Sequence, residues 1–235
     1  RGYLPEAMVN FLALLGWALD DKTEIFSKEE LVQYFSIERI SKTAAIFNKD
    51  KLDWINGVYI RHMSTEELTD QLLAFLERDL PREVKRPISR EYVEQIWPLI
   101  RERLATLREA AEVFGFFFVD KLVYDADLLL GKKLTKEDAM AGLEAALQRL
   151  TDVAADWDGA GRDAEKLAED AQSLEEVLRP LAAELGLKTG EFFGLLRVAV
   201  TGRTAAPPLF QTMAVLGRER CLRRVEAALG SLGLV

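Results

Sequence analysis

The sequence predicts an all-α protein built of two helical domains, and three observations carry that prediction. Apolar residues recur at every third or fourth position along most of the chain, Ser-x-x-Glu boxes stand ahead of several of those runs, and strand-like alternation never lasts more than a few residues. Pro5 opens a first helix in which Met8, Leu12, Leu15 and Leu19 share a face, with Gly16 as a point of close packing. Ser27 with Glu30 forms a capping box ahead of Leu31 and Phe35, each side chain satisfying a backbone amide that the helix start leaves unpaired. Asn48 caps KDKLDWINGVYIRHM, where Leu52, Ile55 and Tyr59 align. Ser64 with Glu67 repeats the box before Leu68, Leu72 and Leu76, and Ser173 with Glu176 repeats it before Val177 and Leu181.

Between the second and third boxes lie the chain's main interruptions. LPREVKRPISR, with two prolines and five charges, is the expected linker near residues 79 to 89. REYVEQIW and PLIRERLATLREAAEVF read as helices broken or kinked at Pro98, because proline removes a helical hydrogen bond and restricts the residue before it. A long pattern from Thr135 to Trp157 follows, then DGAGR as a turn, then three or four shorter helices.

A chain of 235 residues exceeds a typical single domain of about 100 to 200 residues. With 49% hydrophobic and 30% charged residues, it can bury a sizeable core. No stretch of about 18 uncharged apolar residues occurs, so no membrane span is expected. Without a basic-then-apolar leader, a cytoplasmic location is expected. The single Cys221 excludes an internal disulfide, and with His62 as the only histidine a four-ligand His/Cys zinc site cannot be assembled. RGYLPEAM enters a helical pattern almost at once, and the chain is read as a piece of a longer protein.

Catalytic constellations are weak. A serine or cysteine nucleophile wants a base, and His62 stands at a basic helix end where it suits the helix dipole. Asp20 with Asp21, and Asp125 with Asp127, read as solvated loop pairs. GAGRDAEK lacks a preceding strand and GRTAAPP lacks a Lys-Ser pair, so neither cradles phosphate. The net charge of −8 argues against a polyanion partner, but its distribution does not: residues 179–235 carry eight basic and four acidic residues. Within that segment Arg197 interrupts the apolar run LLRVAVTG, and its guanidinium must reach the surface or meet an acceptor in a cleft.

Four segments, in order and spacing, resemble the C-terminal part of bacterial-type glutamyl-tRNA synthetases. They are GYLPEAMVNFLALLGW, FSIERISKTAAIFNKDKLDWINGVYIR, RERLATLREAAEVFGFFF and LKTGEFFGLLRVAVTGRTAAPPLFQTMAVLGRERCLRRVEAAL. The resemblance implies a stem-contact helical domain at about 1–80, and a helical-cage anticodon-binding domain with subdomains at 81–170 and 171–235. It also implies that the catalytic domain of the parent glutamate–tRNA ligase, which uses ATP and Mg²⁺, lies elsewhere. No HIGH-like signature occurs, and ISKT at 40–43 is not the KMSKS-type loop. The expected partner is glutamate tRNA, with no DNA or membrane, and a monomer inactive by itself is expected.

Carried over by the same resemblance, Arg103 stands where the family reads the third anticodon base, Arg197 where it contacts the middle one, and Arg179 at another anticodon contact. Ala206, Pro207 and Leu209 occupy the contact positions for the first two bases; Ala206 replaces a usual hydroxyl residue and Pro208 a usual glycine. A guanidinium offers donors only. It therefore suits the acceptor-bearing edge of cytosine, which ends glutamate anticodons, and leaves the donor edge of guanine, which ends glutamine anticodons, unpaired. A discriminating enzyme is expected on that ground. The alternatives are a helical scaffold that binds another protein, and a stand-alone tRNA-binding paralogue.

Overall fold

In the computed structural model, which describes residues 1–41, 45–153, 157 and 161–233, every regular element is helical. The α-helices are α1 (Pro5–Ala13), α2 (Lys28–Tyr34), α3 (Lys49–His62), α4 (Thr65–Asp79), α5 (Arg90–Ile100) and α6 (Ala110–Phe118). They continue as α7 (Asp127–Leu130), α8 (Lys136–Asp152), α9 (Ala164–Glu184), α10 (Thr189–Thr201), α11 (Leu209–Leu216) and α12 (Arg218–Gly233). The chain forms two compact units: Arg1–Leu80 with Ile100–Val113, and Pro81–Leu99 with Phe114–Val235.

The first four helix starts follow the predicted chemistry. Pro5 occupies the first turn of α1, Ser27 and Glu30 form a reciprocal box on α2, and the Asn48 side chain accepts from the Lys51 amide. Ser64 accepts from the Glu67 amide at the start of α4. Four expectations are corrected. Ser173 starts nothing: α9 begins after Asp163, whose side chain accepts from the Lys166 amide, and runs unbroken past Ser173 to Glu184. The box that sequence reading passed over is Thr135 with Asp138, at α8.

The second correction concerns α1, which stops at Ala13 before Leu15 and Leu19 and buries Ala7, Asn10 and Phe11 while Leu12 is exposed. Third, α5 passes through Pro98 and ends at Ile100, and RERLATLRE forms two 3₁₀ turns, Arg101–Arg103 and Leu107–Glu109, in place of a helix. A proline near a helix end removes a hydrogen bond that the fraying last turn needs least. Fourth, α8 ends at Asp152, short of Trp157; the expected turn at DGAGR falls mostly outside the described residues, as do Lys42 and Thr43 of ISKT.

In the first unit α1 packs on α3, while α3 and α4 pack on the two 3₁₀ turns. Two buried asparagines tie its loops together. Asn56 accepts from the Leu4 amide (2.7 Å) and donates to the Ala105 carbonyl (2.6 Å). Asn10 accepts from the Phe26 amide (2.8 Å) and donates to the Glu24 carbonyl (2.9 Å). Gly2, at φ 86°, lets its carbonyl accept from the Leu107 amide (2.9 Å), and a Cβ there would stand 2.4 Å from the Arg108 nitrogen.

In the second unit α8 packs on α12, α9 on α11, and α10 lies among α7, α8, α9, α11 and α12. Phe192, Leu196 and Ala199 of α10, Leu143 and Ala146 of α8, and Val225 and Ala228 of α12 are all fully buried. Cys221 is sealed in the same interior, and burial pushes its thiol up to about 12.

Candidate nucleic-acid interface

α10 is the helix that sets the stage. Its apolar residues Phe192, Leu195, Leu196, Val198, Ala199 and Val200 are buried, which leaves Phe193, Gly194 and Arg197 on the partly covered side. Arg197 is therefore held by a helix that its neighbours immobilise, and its Nε is buried without a hydrogen-bond partner. The Thr201 hydroxyl donates to the Arg197 carbonyl (2.7 Å) and accepts from the Arg203 amide (3.2 Å), which closes the last turn. Gly202 then caps the helix at φ 71° in the left-handed region; a side chain there would be strained and would meet the Tyr124 ring at 3.2 Å.

The loop that follows is buried at Ala206 and Pro207 and exposed at Thr204, Ala205 and Pro208; Leu209 and Phe210, which open α11, are buried. The side chains of Ala206, Pro207 and Leu209 thus form the underside of the loop, with its accessible surface supplied by their neighbours and the backbone. Arg179, on α9, is exposed and paired with Glu175 one turn earlier. Its guanidinium lies over the Phe193 ring, 5.3 Å from the centroid. Phe193 in turn meets Phe210 edge-on at 5.0 Å. Arg179 and Phe210 thus both meet Phe193, a residue that sequence reading did not single out. Its signal was present, since Phe193 and Arg197 stand four apart on one helix. Arg103 belongs to the other compact unit, exposed on the turn Arg101–Arg103. There Arg101 donates to the Arg61 carbonyl and Glu102 lies 3.5 Å from the Arg61 guanidinium.

Three of the eight basic side chains in residues 179–235 bind backbone carbonyls of the fold. Arg224 is 3% exposed and donates to the carbonyls of Val200 (2.5 Å), Phe116 (2.6 Å) and Val119 (2.8 Å). Burial pulls its guanidinium down to about 10, so it stays charged at neutral pH. Arg220 donates to the Phe117 carbonyl (2.5 Å) and Arg218 to the Thr151 carbonyl (2.8 Å). These three arginines clamp helix ends, whereas Arg223 is exposed beside Glu219 and Asp120, and the Arg203 guanidinium lies 5.9 Å from the centroid of the Phe116 ring.

Other features are structural. His62 contacts the Val58 carbonyl through Nδ1 (2.8 Å), and Asp20 accepts from the Lys22 and Thr23 amides (2.8 and 2.6 Å). Among the described residues no group of three or more His, Cys, Asp or Glu could hold a metal ion, and no helix is long and apolar enough to cross a membrane.

Residues 67–229 match the anticodon binding domain family. The chain belongs to that family. Residues 1–54 match the family described as tRNA synthetases class I (E and Q), catalytic domain. Among curated relatives, a glutamate–tRNA ligase of Dehalococcoides mccartyi (strain CBDB1) is 51% identical over 98% of this chain and 45% of its own length. One of Roseiflexus castenholzii is 47% identical over 99% of this chain and 43% of its own. The chain therefore spans under half the length of these relatives. A crystal structure of a glutamate tRNA ligase from Elizabethkingia meningosepticum superposes with a TM-score of 0.80 at 25% identity, covering 98% of this chain and 42% of that one. The resemblance to the C-terminal part of glutamyl-tRNA synthetases, and the all-helical anticodon-binding fold that it implied, are borne out.

Proposed function

We propose that the chain is the tRNA-gripping part of a glutamate–tRNA ligase and reads the anticodon loop of glutamate tRNA. The observation that carries this reading is Arg197: in a chain of the anticodon binding domain family, a donor-only fork is fixed on an immobilised helix with its Nε unpaired. Loop bases of RNA can be splayed out and read on their Watson–Crick edges, which suits such a fork. Arg197 takes the middle base, Arg179 adds a second contact, and Ala206, Pro207 and Leu209 shape the loop that receives the first two bases. Arg103 takes the third base and favours cytosine over guanine, because guanine would face its donors with donors. The parent enzyme joins glutamate to this tRNA with ATP and Mg²⁺ held by its catalytic domain.

Isolated glutamate tRNA should bind the 235-residue chain with an affinity that falls steeply as salt rises. Arg197→Gln should weaken binding roughly tenfold, within the about 1–3 kcal/mol of a lost base contact. Equal binding of a tRNA whose third anticodon base is guanine would overturn the assignment of Arg103. In the full-length ligase Arg103→Gln should narrow the gap between charging of glutamate and glutamine tRNAs, measured as the ratio of kcat/KM values.

A further inference from the structure

Phe193 is an oddity of α10: its neighbour Phe192 is fully buried, while Phe193 stays partly open on the face that also bears Arg197. What covers it is of two kinds. Phe210 is rigid, 6% exposed at the start of α11, and holds the ring at 5.0 Å with the planes at 90°. Arg179 lies at the surface: its side chain is 55% exposed and its guanidinium lies 5.3 Å from the ring centroid. Glu175, itself 40% exposed, anchors that guanidinium from the preceding turn of α9. Interactions of exposed ions of this kind are weak and easily exchanged.

We propose that Phe193 is the stacking surface for one base of the bound RNA loop, and that Arg179 lifts from the ring to close over the base as it enters. This rests on the anticodon-loop reading above and adds a residue and a counter-ion to it. The base is then held between an aromatic ring and a guanidinium plane, two surfaces that single-stranded bases use for stacking. Arg197, one turn along the same face, is placed to bond the edge of a neighbouring base. In this arrangement Glu175 competes with RNA: it keeps the cover down when no base is present, and its negative charge opposes approaching phosphates.

The experiment uses an RNA hairpin with the glutamate anticodon loop, carrying 5-iodouridine at each loop uridine in turn, and the full 235-residue chain. Irradiation should crosslink a loop base to the peptide that contains Phe193, because iodouracil couples efficiently to an aromatic ring stacked on it. Phe193→Leu, which keeps an apolar side chain against Phe210, should abolish that crosslink and weaken binding about tenfold, the scale of losing one stacked base. Glu175→Gln, at a partly exposed site where misfolding is not expected, should tighten binding about threefold and leave the crosslink in place. If Phe193→Leu does not fold, the crosslinked peptide of the unaltered chain and the Glu175→Gln affinity decide the matter. Binding by the unaltered chain with no crosslink at Phe193, or with Phe193→Leu and Glu175→Gln both indistinguishable from it, overturns this inference and leaves the anticodon reading intact. Failure of the unaltered chain to bind the hairpin overturns both.

Discussion

Arg197 and Arg224 carry the same charge to opposite ends. Arg197 is only partly exposed, with its Nε buried and unpaired, whereas Arg224 gives its two terminal nitrogens to three carbonyls from α10 and the α6 end. Removing Arg224 should therefore unpair those carbonyls and open a hole under α12. We expect Arg224→Gln to cost about 3 kcal/mol or more in urea unfolding, since each carbonyl left unpaired costs about 1–3 kcal/mol, with Arg224→Lys rescuing little because an ammonium cannot span the same fork. The sequence did carry a sign of this. Cys221, Arg224, Ala228 and Leu232 fall three or four apart, so helical spacing alone puts Arg224 on the buried stripe. Counting charge over a segment hides that, because a sum has no face. Phe193 was missed for a related reason: FF reads as core, and only the partners on α9 and α11 reveal that one of the two rings is left partly open.

At the scale of elements, the starts of α1 to α4 were legible from their proline and capping residues, while Asp163 at α9 and the Thr135 box at α8 went unread. Thr135 and Ser173 separate signal from coincidence. Thr135→Ala should cost about 1 kcal/mol, since the Asp138 amide loses its acceptor. Ser173→Ala should be neutral or stabilise slightly, by up to about 0.5 kcal/mol, because Ser173 is an exposed residue inside α9 and alanine is the better helix former there. Thermal unfolding of the two variants measures the contrast; an equal loss in both would mean that α9 starts at Ser173 after all. The break near Pro98 was legible in existence and wrong in place. Proline marks where a helix is weakened, while the point of termination is set downstream, where Arg101–Arg103 and Leu107–Glu109 turn the chain to pack on α3 and α4.

At the scale of the molecule, composition and periodicity gave an all-helical chain with a linker, but not the way the chain weaves. Residues 100–113 join the first unit, and residues 81–99 the second, so the chain crosses between units three times. Such a pattern depends on long-range partners, here the bond from Asn56 to the Ala105 carbonyl and that from the Leu107 amide to the Gly2 carbonyl, which local sequence cannot announce. A chain truncated to residues 1–80 should consequently melt early and without cooperativity, whereas residues 1–113 should retain a cooperative transition by circular dichroism. Acid should loosen the first unit. The Thr23 and Lys22 amides hold the Asp20 carboxyl below its ordinary value, and Arg78 does the same for Asp79. A carboxyl lowered on folding contributes stability that is present above the unfolded value of about 4 and lost as pH falls through the folded one. The unfolding midpoint should accordingly decline below about pH 4.

Cys221 has a practical consequence for all of these measurements. Its thiol is fully buried and far from ionising at neutral pH, so maleimides and iodoacetamides should ignore the native fold. Any cysteine placed by choice on the surface would be the one that reacts, which allows a dye or spin label to be attached beside Phe193 or Arg103 without first stripping the protein of its own sulfur.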